Sequence, residues 1–354
     1  MPPTHTDRSH THLYEQAAPL LSVRNLKTHF PLDEGLVIAV DDVSFDLYPG
    51  QTLGIVGESG CGKSVTARSI LGILDRPGLI VAGEVLFRRR RDSVASGSQE
   101  VVDLTTFDPN GEEMRAIRGG EIALVFQEPM TSFSPVHTIG NQIIEAIILH
   151  HAVPKKEARA MAIDALRQVG IPLPEQRIDA YAFQLSGGLR QRAMIAMALS
   201  CHPSILIADE PTTALDVTTQ AQILDLMRQL QREYGMAIIL ITHDLGVIAE
   251  MAEQVVVMYL GQVVESAAVD DIFHAAKHPY TQALLQSIPR IRSHTRERLA
   301  SIAGAVPHPY ARPAGCLFHP RCLARMEGLC DLRQPALSPV APNHDVSCFL
   351  YHGA

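Results

Sequence analysis

A glycine-rich octapeptide early in the chain constrains the fold more than any other feature. Residues 57–64 read Gly-Glu-Ser-Gly-Cys-Gly-Lys-Ser and fit the pattern G-x-x-x-x-G-K-[ST]. This loop follows an apolar, strand-like segment at 52–56 and precedes a predicted helix over 64–74. In that context, successive backbone N–H groups and the helix N-terminus can all face one anion. The sequence therefore predicts a nucleoside triphosphate site here, and an ordinary glycine-rich turn is the weaker reading.

The end of the octapeptide carries two specific roles. Lys63 is expected to reach the β- and γ-phosphates, and Ser64 is expected to offer its hydroxyl to Mg²⁺. The predicted nucleotide-binding residues of this segment are Gly57, Glu58, Ser59, Gly60, Cys61, Gly62, Lys63, Ser64 and Val65.

The composition predicts a globular cytoplasmic protein. Hydrophobic residues make up 46% of the 354, and no apolar run approaches the roughly 18–20 residues that span a bilayer. The polar N-terminus lacks the apolar centre of a secretory signal, and residues 1–18 are predicted to be a flexible tail. The net charge of −8 argues against a nucleic-acid partner.

The segment 205–210, Ile-Leu-Ile-Ala-Asp-Glu, predicts the second half of a nucleotide site. Asp209, at the carboxyl end of an apolar strand, can hold Mg²⁺ through water. The next residue, Glu210, can orient and polarise the water that attacks the γ-phosphate. Alone, this pattern also fits a strand followed by a solvated acidic turn. Its pairing with the phosphate loop favours the catalytic reading.

Hydrophobic periodicity predicts the architecture around these motifs. Residues 21–56 alternate apolar and polar, which predicts an antiparallel β layer. Farther along, strands over 204–208, 236–242 and 254–260 alternate with helices, and this alternation predicts a largely parallel α/β sheet. The predicted helices of this part span 154–170, 186–200 and 217–234.

Three further segments fall where they can face a phosphate group. Residues 185–192, Leu-Ser-Gly-Gly-Leu-Arg-Gln-Arg, begin a predicted helix with small residues and so provide a second anion-binding helix terminus. Gln127 follows the predicted strand 121–126, and His243 follows the strand 236–242. A lone Gln or His at a strand end is usually structural, but here each joins a set of phosphate-site motifs.

Over residues 20–265 this set resembles, in order and spacing, the ATP-binding subunit of an ABC transporter. The segment 185–192 is the most specific element, because other phosphate-loop ATPases lack it. By resemblance, Phe30 would stack on adenine, and Gln127 would couple Mg²⁺ and the γ-phosphate to membrane subunits. The implied catalytic residues are Lys63, Glu210 and His243, and the implied Mg²⁺ ligands are Ser64, Gln127 and Asp209. The residues implied to bind ATP held by the opposite subunit of a dimer are Ser186, Gly187, Gly188, Gln191 and Asp216.

Several segments also resemble the dipeptide/oligopeptide importer subfamily. These lie at 127–135, 208–218, 278–281 and 315–322. The resemblance implies an ATPase that energises peptide uptake at the cytoplasmic face of the cell membrane. It also implies three kinds of partner: a related ATPase in a heterodimer, two transmembrane permeases and an extracytoplasmic solute-binding protein. Departures such as 181–184, Tyr-Ala-Phe-Gln, affect the expected partner contacts and leave ATP binding as expected.

Four of the six cysteines lie close together near the C-terminus, at Cys316, Cys322, Cys330 and Cys348. Four thiolates suit zinc or an iron–sulfur cluster, although the spacing lacks the C-x2-C pairs of zinc ribbons. By resemblance to related importer subunits, a 4Fe–4S cluster is expected, with zinc as the alternative. Four reduced cysteines without a metal are the third reading.

Together these features predict an α/β fold. A P-loop ABC ATPase domain over 19–288 would combine a RecA-like mixed sheet, an antiparallel β layer and a helical signature subdomain at about 130–200. A small Cys-rich domain would follow over 289–354. Three other functions stay open: an importer ATPase for nickel chelates or another solute, a soluble non-transport ABC ATPase, and a redox-sensing regulator.

Overall fold

The computed structural model describes residues 17–90, 99–128, 132–213, 215–288, 302 and 304–351. Its strands are β1 (Leu21–Leu32), β2 (Gly35–Leu47), β3 (Thr52–Val56), β4 (Leu79–Arg90), β5 (Gln99–Asp103), β6 (Ile122–Val125), β7 (Ile205–Asp209), β8 (Ala237–Ile241), β9 (Gln254–Tyr259), β10 (Gln262–Ala268), β11 (Ser338–Ala341) and β12 (His344–Val346). Its helices are α1 (Lys63–Ile70), α2 (Glu112–Ile117), α3 (Ile139–His150), α4 (Lys155–Gln168), α5 (Pro174–Arg177), α6 (Gly187–Leu199), α7 (Val217–Tyr234), α8 (Leu245–Met251), α9 (Val269–Ala275) and α10 (Pro279–Gln286).

The strands form two sheets. One is four-stranded and antiparallel, in the order β2-β1-β4-β5. The other runs β11-β12-β10-β9-β3-β8-β7-β6, with parallel pairing from β9 to β6 and antiparallel pairing among β9, β10, β12 and β11. The predicted α/β class with a mixed sheet is therefore confirmed. The predicted antiparallel layer holds β1 and β2, whereas residues 52–56 lie in the parallel part of the second sheet.

The main helices begin and end at residues that the sequence marks. Asp216 caps the N-terminus of helix α7, and its carboxylate accepts a hydrogen bond from the Thr219 N–H at 3.0 Å. The helix ends at Gly235, which has a φ of 65° that suits a residue without a Cβ. Helix α4 buries Ala158, Ala162, Ala165 and Leu166, the stripe that the 3.6-residue period predicts.

The parallel strands are buried on both faces, and alternate residues contribute to two different cores. In β8, Ile239 and Ile241 belong to the core shared with the antiparallel sheet, and Ile238 and Leu240 belong to the core under the helices. Complete burial of each such side chain contributes roughly 1.5–3 kcal/mol. The carboxyl ends of these strands are thereby fixed firmly, which positions the loops that follow them.

The C-terminal residues pack directly on the ATPase part of the chain. Strands β11 and β12 extend the large sheet through β10, and Leu317 and Phe318 lie in the core under the helices. Glu265 of β10 is fully buried and connects the ATPase part of the chain to β12 of the C-terminal region. Its carboxylate accepts hydrogen bonds from the backbone N–H groups of Lys277 and His278 and approaches His344 Nε2 at 2.8 Å. The predicted boundary between residues 288 and 289 stays a prediction.

Among the described helices, none combines the length and the apolar character that a membrane crossing requires.

Candidate nucleotide-binding and hydrolysis site

The phosphate loop needs glycine because its backbone passes very close to other chain segments. Gly57 has a φ of 155°, and a Cβ there would lie 2.2 Å from the Met258 carbonyl oxygen. At Gly62, where φ is 100°, a Cβ would lie 2.3 Å from the carbonyl oxygen of Ala39. Both contacts are far inside van der Waals distance, so any larger residue would displace the loop. The loop connects the fully buried strand β3 to helix α1.

The Lys63 side chain folds over this loop and is almost completely buried. Its Nζ donates hydrogen bonds to the carbonyl oxygens of Gly57 at 2.8 Å and Glu58 at 3.1 Å. These two acceptors hold the ammonium group against the loop, at the N-terminus of α1. A positive charge at this place adds to the partial positive charge of the helix terminus, so the loop favours anions.

The hydroxyl of Ser64 and the carboxylate of Asp209 meet beside the loop. Ser64 Oγ donates a hydrogen bond to Asp209 Oδ1 at 3.0 Å. Burial raises the pKa of Asp209 above its ordinary value, and the Ser64 hydrogen bond opposes that effect. The nearby Glu210 carboxylate raises the pKa further. A hydroxyl and a carboxylate in contact supply the oxygen ligands that Mg²⁺ prefers.

Glu210 follows β7 and lies at the centre of a polar cluster. Its Oε2 accepts hydrogen bonds from Gln127 Nε2 at 3.0 Å and Thr213 Oγ1 at 2.9 Å. Its Oε1 lies 3.1 Å from Nδ1 of His243. The structure thus brings together Gln127, Glu210 and His243, which the sequence placed after three separate strands.

The same cluster sets the ionisation of Glu210. Burial opposes ionisation, yet the hydrogen bonds from His243 and Thr213 outweigh it and hold the pKa of Glu210 below its ordinary value. The backbone φ of Glu210 is 48°, and its N–H donates to the Ile241 carbonyl oxygen at 2.8 Å. The carboxylate is therefore ionised at neutral pH and held in a fixed orientation.

A cleft of about 240 Å³ lies above the phosphate loop. The predicted site residues that line it are Ser59, Gly60, Gly62, Lys63, Ser64, Val65, Gln127 and Glu210. The residues that line it without having been predicted are Val37, Ile38, Ala39, Leu260, Gly261, His308, Pro309 and Arg312. The members of this second group come from β2, from the β9–β10 turn and from the C-terminal region. These segments lie outside the sequence motifs, so no sequence pattern pointed to them.

Four residues predicted to bind the nucleotide do not line the cleft, namely Phe30, Gly57, Glu58 and Cys61. Phe30, expected to stack on adenine, does not line the cleft, and its ring packs against Gly78. The Glu58 carboxylate turns toward the C-terminal region and pairs with Arg321 at 2.6 Å. Cys61 is buried beneath the loop, where burial raises the pKa of its thiol.

The residues of the signature segment do not line the cleft. Ser186 begins helix α6, and its Oγ accepts a hydrogen bond from the Leu189 N–H. Gln191 is buried, whereas Gly187 faces solvent. Asp216 begins helix α7, and the hydrogen bonds from Thr219 lower the pKa of its carboxyl group. Within one chain, the structure keeps these residues apart from the phosphate loop.

The four C-terminal cysteines line one small pocket. They are free thiols, and the described residues hold no group of three or more His, Cys, Asp or Glu placed to bind a single metal ion. Burial raises the pKa of Cys316 to about 11, and Cys330 is the neighbouring thiol that adds most to the shift. The side chains that close the pocket include those of His278, Phe318 and Met326.

The fold and site define a P-loop nucleoside triphosphatase. Comparison with known proteins narrows this class. The ABC transporter family matches residues 40–213, and the C-terminal region of the oligopeptide/dipeptide transporters matches residues 264–330. The chain belongs to the ABC transporter family and is an ATPase subunit of that family.

Similar proteins include the dipeptide transport ATP-binding protein DppD of Escherichia coli (strain K12). It is 47% identical over 329 residues, which cover 93% of this chain and 96% of DppD. The oligopeptide transport ATP-binding protein AppD of Bacillus subtilis (strain 168) is 49% identical over 332 residues, covering 94% and 97%. Among solved structures, the ATP-binding cassette MJ0796 in a dimeric post-hydrolysis state with ADP and Pi aligns at a TM-score of 0.59. It is 27% identical, with 70% of this chain and 98% of that chain covered.

Proposed function

We propose that this ABC ATPase energises the uptake of dipeptides and oligopeptides across the cytoplasmic membrane. The observation that carries the proposal is the match of residues 264–330 to the C-terminal region of oligopeptide/dipeptide transporters, on a chain that also matches the ABC transporter family over residues 40–213. Relatives at 47–49% identity, named for dipeptide or oligopeptide transport, support it over nearly their whole length. These names favour peptides over nickel chelates or another solute. The alternatives of a soluble non-transport ABC ATPase and a redox-sensing regulator have no such support.

The site suits hydrolysis by positioning and charge stabilisation. Lys63 and the loop N–H groups hold the β- and γ-phosphates, and His243 contacts the γ-phosphate. Glu210, ionised and fixed by three neighbours, polarises the attacking water. Ser64, Gln127 and Asp209 offer oxygen ligands for Mg²⁺, which neutralises charge on the phosphate oxygens when bound.

We infer that two subunits must meet to close each ATP site. Ser186, Gly187 and Gly188 lie at the N-terminus of α6, outside the cleft of their own chain. A helix N-terminus binds anions, so this group suits the γ-phosphate of a nucleotide held by the opposite subunit. Asp216 belongs to the same proposed surface, and Gln191, which the resemblance also implies, is buried in the single chain. The proposed partner is a related ATPase, which makes the unit a heterodimer.

The rest of the assembly follows from the same proposal. Two transmembrane permeases carry the peptide, and an extracytoplasmic solute-binding protein delivers it. This subunit then sits at the cytoplasmic face of the membrane and passes closure and reopening to the permeases. We also propose that the chain is divided into a tail, residues 1–18, an ATPase domain, 19–288, and a C-terminal domain, 289–354.

We propose that the four-cysteine pocket holds a 4Fe–4S cluster, with zinc as the alternative. Four thiolates suit either group. All four thiols line one apolar pocket. We propose Cys316, Cys322, Cys330 and Cys348 as the ligands of the cluster. The role would be structural, because the same residues join the C-terminal region to the core.

Replacing Cys322 by serine is expected to remove the iron and the broad visible absorbance from protein purified without oxygen. About four iron atoms per chain are expected before the substitution. The matched control is Cys201→Ser, which changes a buried thiol outside the pocket and is expected to leave the iron content unchanged. One zinc per wild-type chain would select the alternative metal, and a metal-free wild-type chain would select four reduced thiols.

Deleting this subunit from its host is expected to abolish the uptake of labelled dipeptides while nickel uptake continues. Restoring the wild-type chain should restore uptake, and restoring Lys63→Ala should not. Membranes solubilised gently should yield the chain together with two permeases and a related ATPase. Unchanged peptide uptake in the deletion strain, or purification with ribosomal or DNA-bound partners, would contradict the proposal.

A further inference from the structure

A segment of the C-terminal region, residues 304–315, reaches into the nucleotide cleft. His308, Pro309 and Arg312 line the cleft together with residues of β2. Tyr310 lies against the β1–β2 turn, where a Cβ on Gly35 would be 3.3 Å from its ring. The segment therefore forms one wall of a site whose other walls come from the ATPase motifs, from β2 and from the β9–β10 turn.

Arg312 is held from one side by Asp41 of β2. Its Nη2 donates to Asp41 Oδ2 at 2.8 Å, and the same oxygen accepts from Gln262 Nε2 at 2.8 Å. The Asp41 N–H in turn donates to the carbonyl oxygen of Gly261, which lines the cleft. Burial lowers the pKa of Arg312, and the Asp41 carboxylate opposes that effect, so the guanidinium remains a cation at neutral pH.

The other terminal nitrogen of the Arg312 guanidinium takes no part in the contact with Asp41. Arg312 Nη1 is buried and has no hydrogen-bond partner among the described residues. A buried N–H without an acceptor carries the full cost of its desolvation, so such groups are uncommon in folded proteins. Because Arg312 lines the nucleotide cleft, the missing acceptor can come from the bound nucleotide.

The order of strands indicates which end of the nucleotide this is. The phosphate loop follows β3, and Glu210 and Gln127 follow β7 and β6 on one side of it. Gly261 lies in the turn after β9, on the opposite side of β3, and Arg312 reaches Gly261 through Asp41. With the γ-phosphate directed toward Glu210, the nucleoside half of the ligand lies on the Arg312 side.

We propose that Arg312 is a nucleotide-binding residue, with Nη1 donating a hydrogen bond to an oxygen of the sugar and α-phosphate end of ATP. This inference rests on the assignment of the cleft as the ATP site. It adds a nucleotide contact supplied by the C-terminal region to those supplied by the ATPase motifs. Asp41 acts as the positioning residue that orients the guanidinium.

Binding of ATP, ADP and inorganic tripolyphosphate to the full chain tests the proposal. Arg312→Ala is expected to weaken ATP and ADP binding about 10-fold or more, the usual size for a hydrogen bond from a charged donor. Tripolyphosphate, which lacks the nucleoside, should lose less than about twofold, because its contacts are with the phosphate loop. The ATP affinity of Arg312→Lys should lie between those of the wild type and Arg312→Ala, since lysine keeps the charge and loses the planar fork.

Two further variants separate the possible explanations. Asp41→Asn still offers one acceptor oxygen to Arg312, so its ATP affinity should stay within about twofold of wild type. Equal losses of ATP and tripolyphosphate binding in Arg312→Ala would reduce Arg312 to an anchor of the segment and overturn the proposal. Lys63→Ala should abolish binding of all three ligands. If it does so while Arg312→Ala binds ATP normally, only the present inference fails, whereas normal binding by Lys63→Ala would remove the ATP site itself.

Discussion

Replacing Glu210 by glutamine is expected to lower the ATP turnover number by about 10²- to 10⁴-fold and to leave ATP binding intact. Glutamine has the same shape, so the contacts with Gln127, Thr213 and His243 can largely persist. The substitution removes the negative charge that polarises the attacking water. Because the pKa of Glu210 is held below its ordinary value, the wild-type carboxylate is ionised across the neutral range, and the loss should be similar throughout it.

Single-turnover hydrolysis and equilibrium ATP binding, measured on the same preparations, check this expectation. The matched control is Glu250→Gln on α8, an exposed carboxylate that pairs with Arg228 at 2.7 Å. Its turnover should equal that of the wild type. If Glu210→Gln kept more than about a tenth of the wild-type turnover, the assignment of Glu210 as the general base would be wrong.

Removing the Arg321 side chain is expected to lower the free energy of unfolding by about 2–3 kcal/mol. Arg321 is only 4% exposed and donates to both carboxylate oxygens of Glu58, at 2.6 and 3.0 Å. Its guanidinium also lies over the ring of Tyr259, 5.8 Å from the centroid. Arg321→Ala would leave the Glu58 carboxylate partly buried without this bidentate partner, and that desolvation is the main source of the loss.

Thermal unfolding and a double-mutant cycle measure the effect. The unfolding midpoint of Arg321→Ala should fall by about 3–6 °C. Adding Glu58→Gln to this variant should lower the midpoint little further, because the ion pair is already broken. Arg325→Ala is the matched control, because Arg325 is 52% exposed and its partner Glu327 is 84% exposed. Exposed pairs contribute at most about 1 kcal/mol. Equal midpoints for the two arginine variants would contradict the prediction.

This ion pair gives the C-terminal region a direct contact with the phosphate loop. Arg321 immediately precedes Cys322 of the cysteine pocket, and Glu58 belongs to the loop itself. A second contact lies beside it, where the Glu58 N–H donates to the hydroxyl oxygen of Tyr280 at 2.9 Å. The loop is therefore held in place from outside its own strand and helix.

The sequence alone determined the ATPase motifs, the α/β class and, to within two residues, the bounds of the helices α4, α6 and α7. These features are local, since a cap, a glycine or an apolar period acts within a few residues. Helix α7 shows this, because Asp216 and Gly235 mark its two ends and the structure has it at Val217–Tyr234. The positive φ values of the phosphate-loop glycines are equally local, whereas the close approach of Met258 and Ala39 to the loop is set by the tertiary structure.

Only the tertiary structure decided which distant residues meet at the site. Phe30 carries the expected ring for adenine, yet its strand places that ring against Gly78. Arg312 and Asp41, and likewise Arg321 and Glu58, form pairs across more than 260 positions of sequence. Such pairs leave no periodic or spacing signal, because they depend on how the C-terminal segment packs against the completed sheet. The motifs specify the chemistry of the phosphates, and the packing of the C-terminal region completes the walls around them.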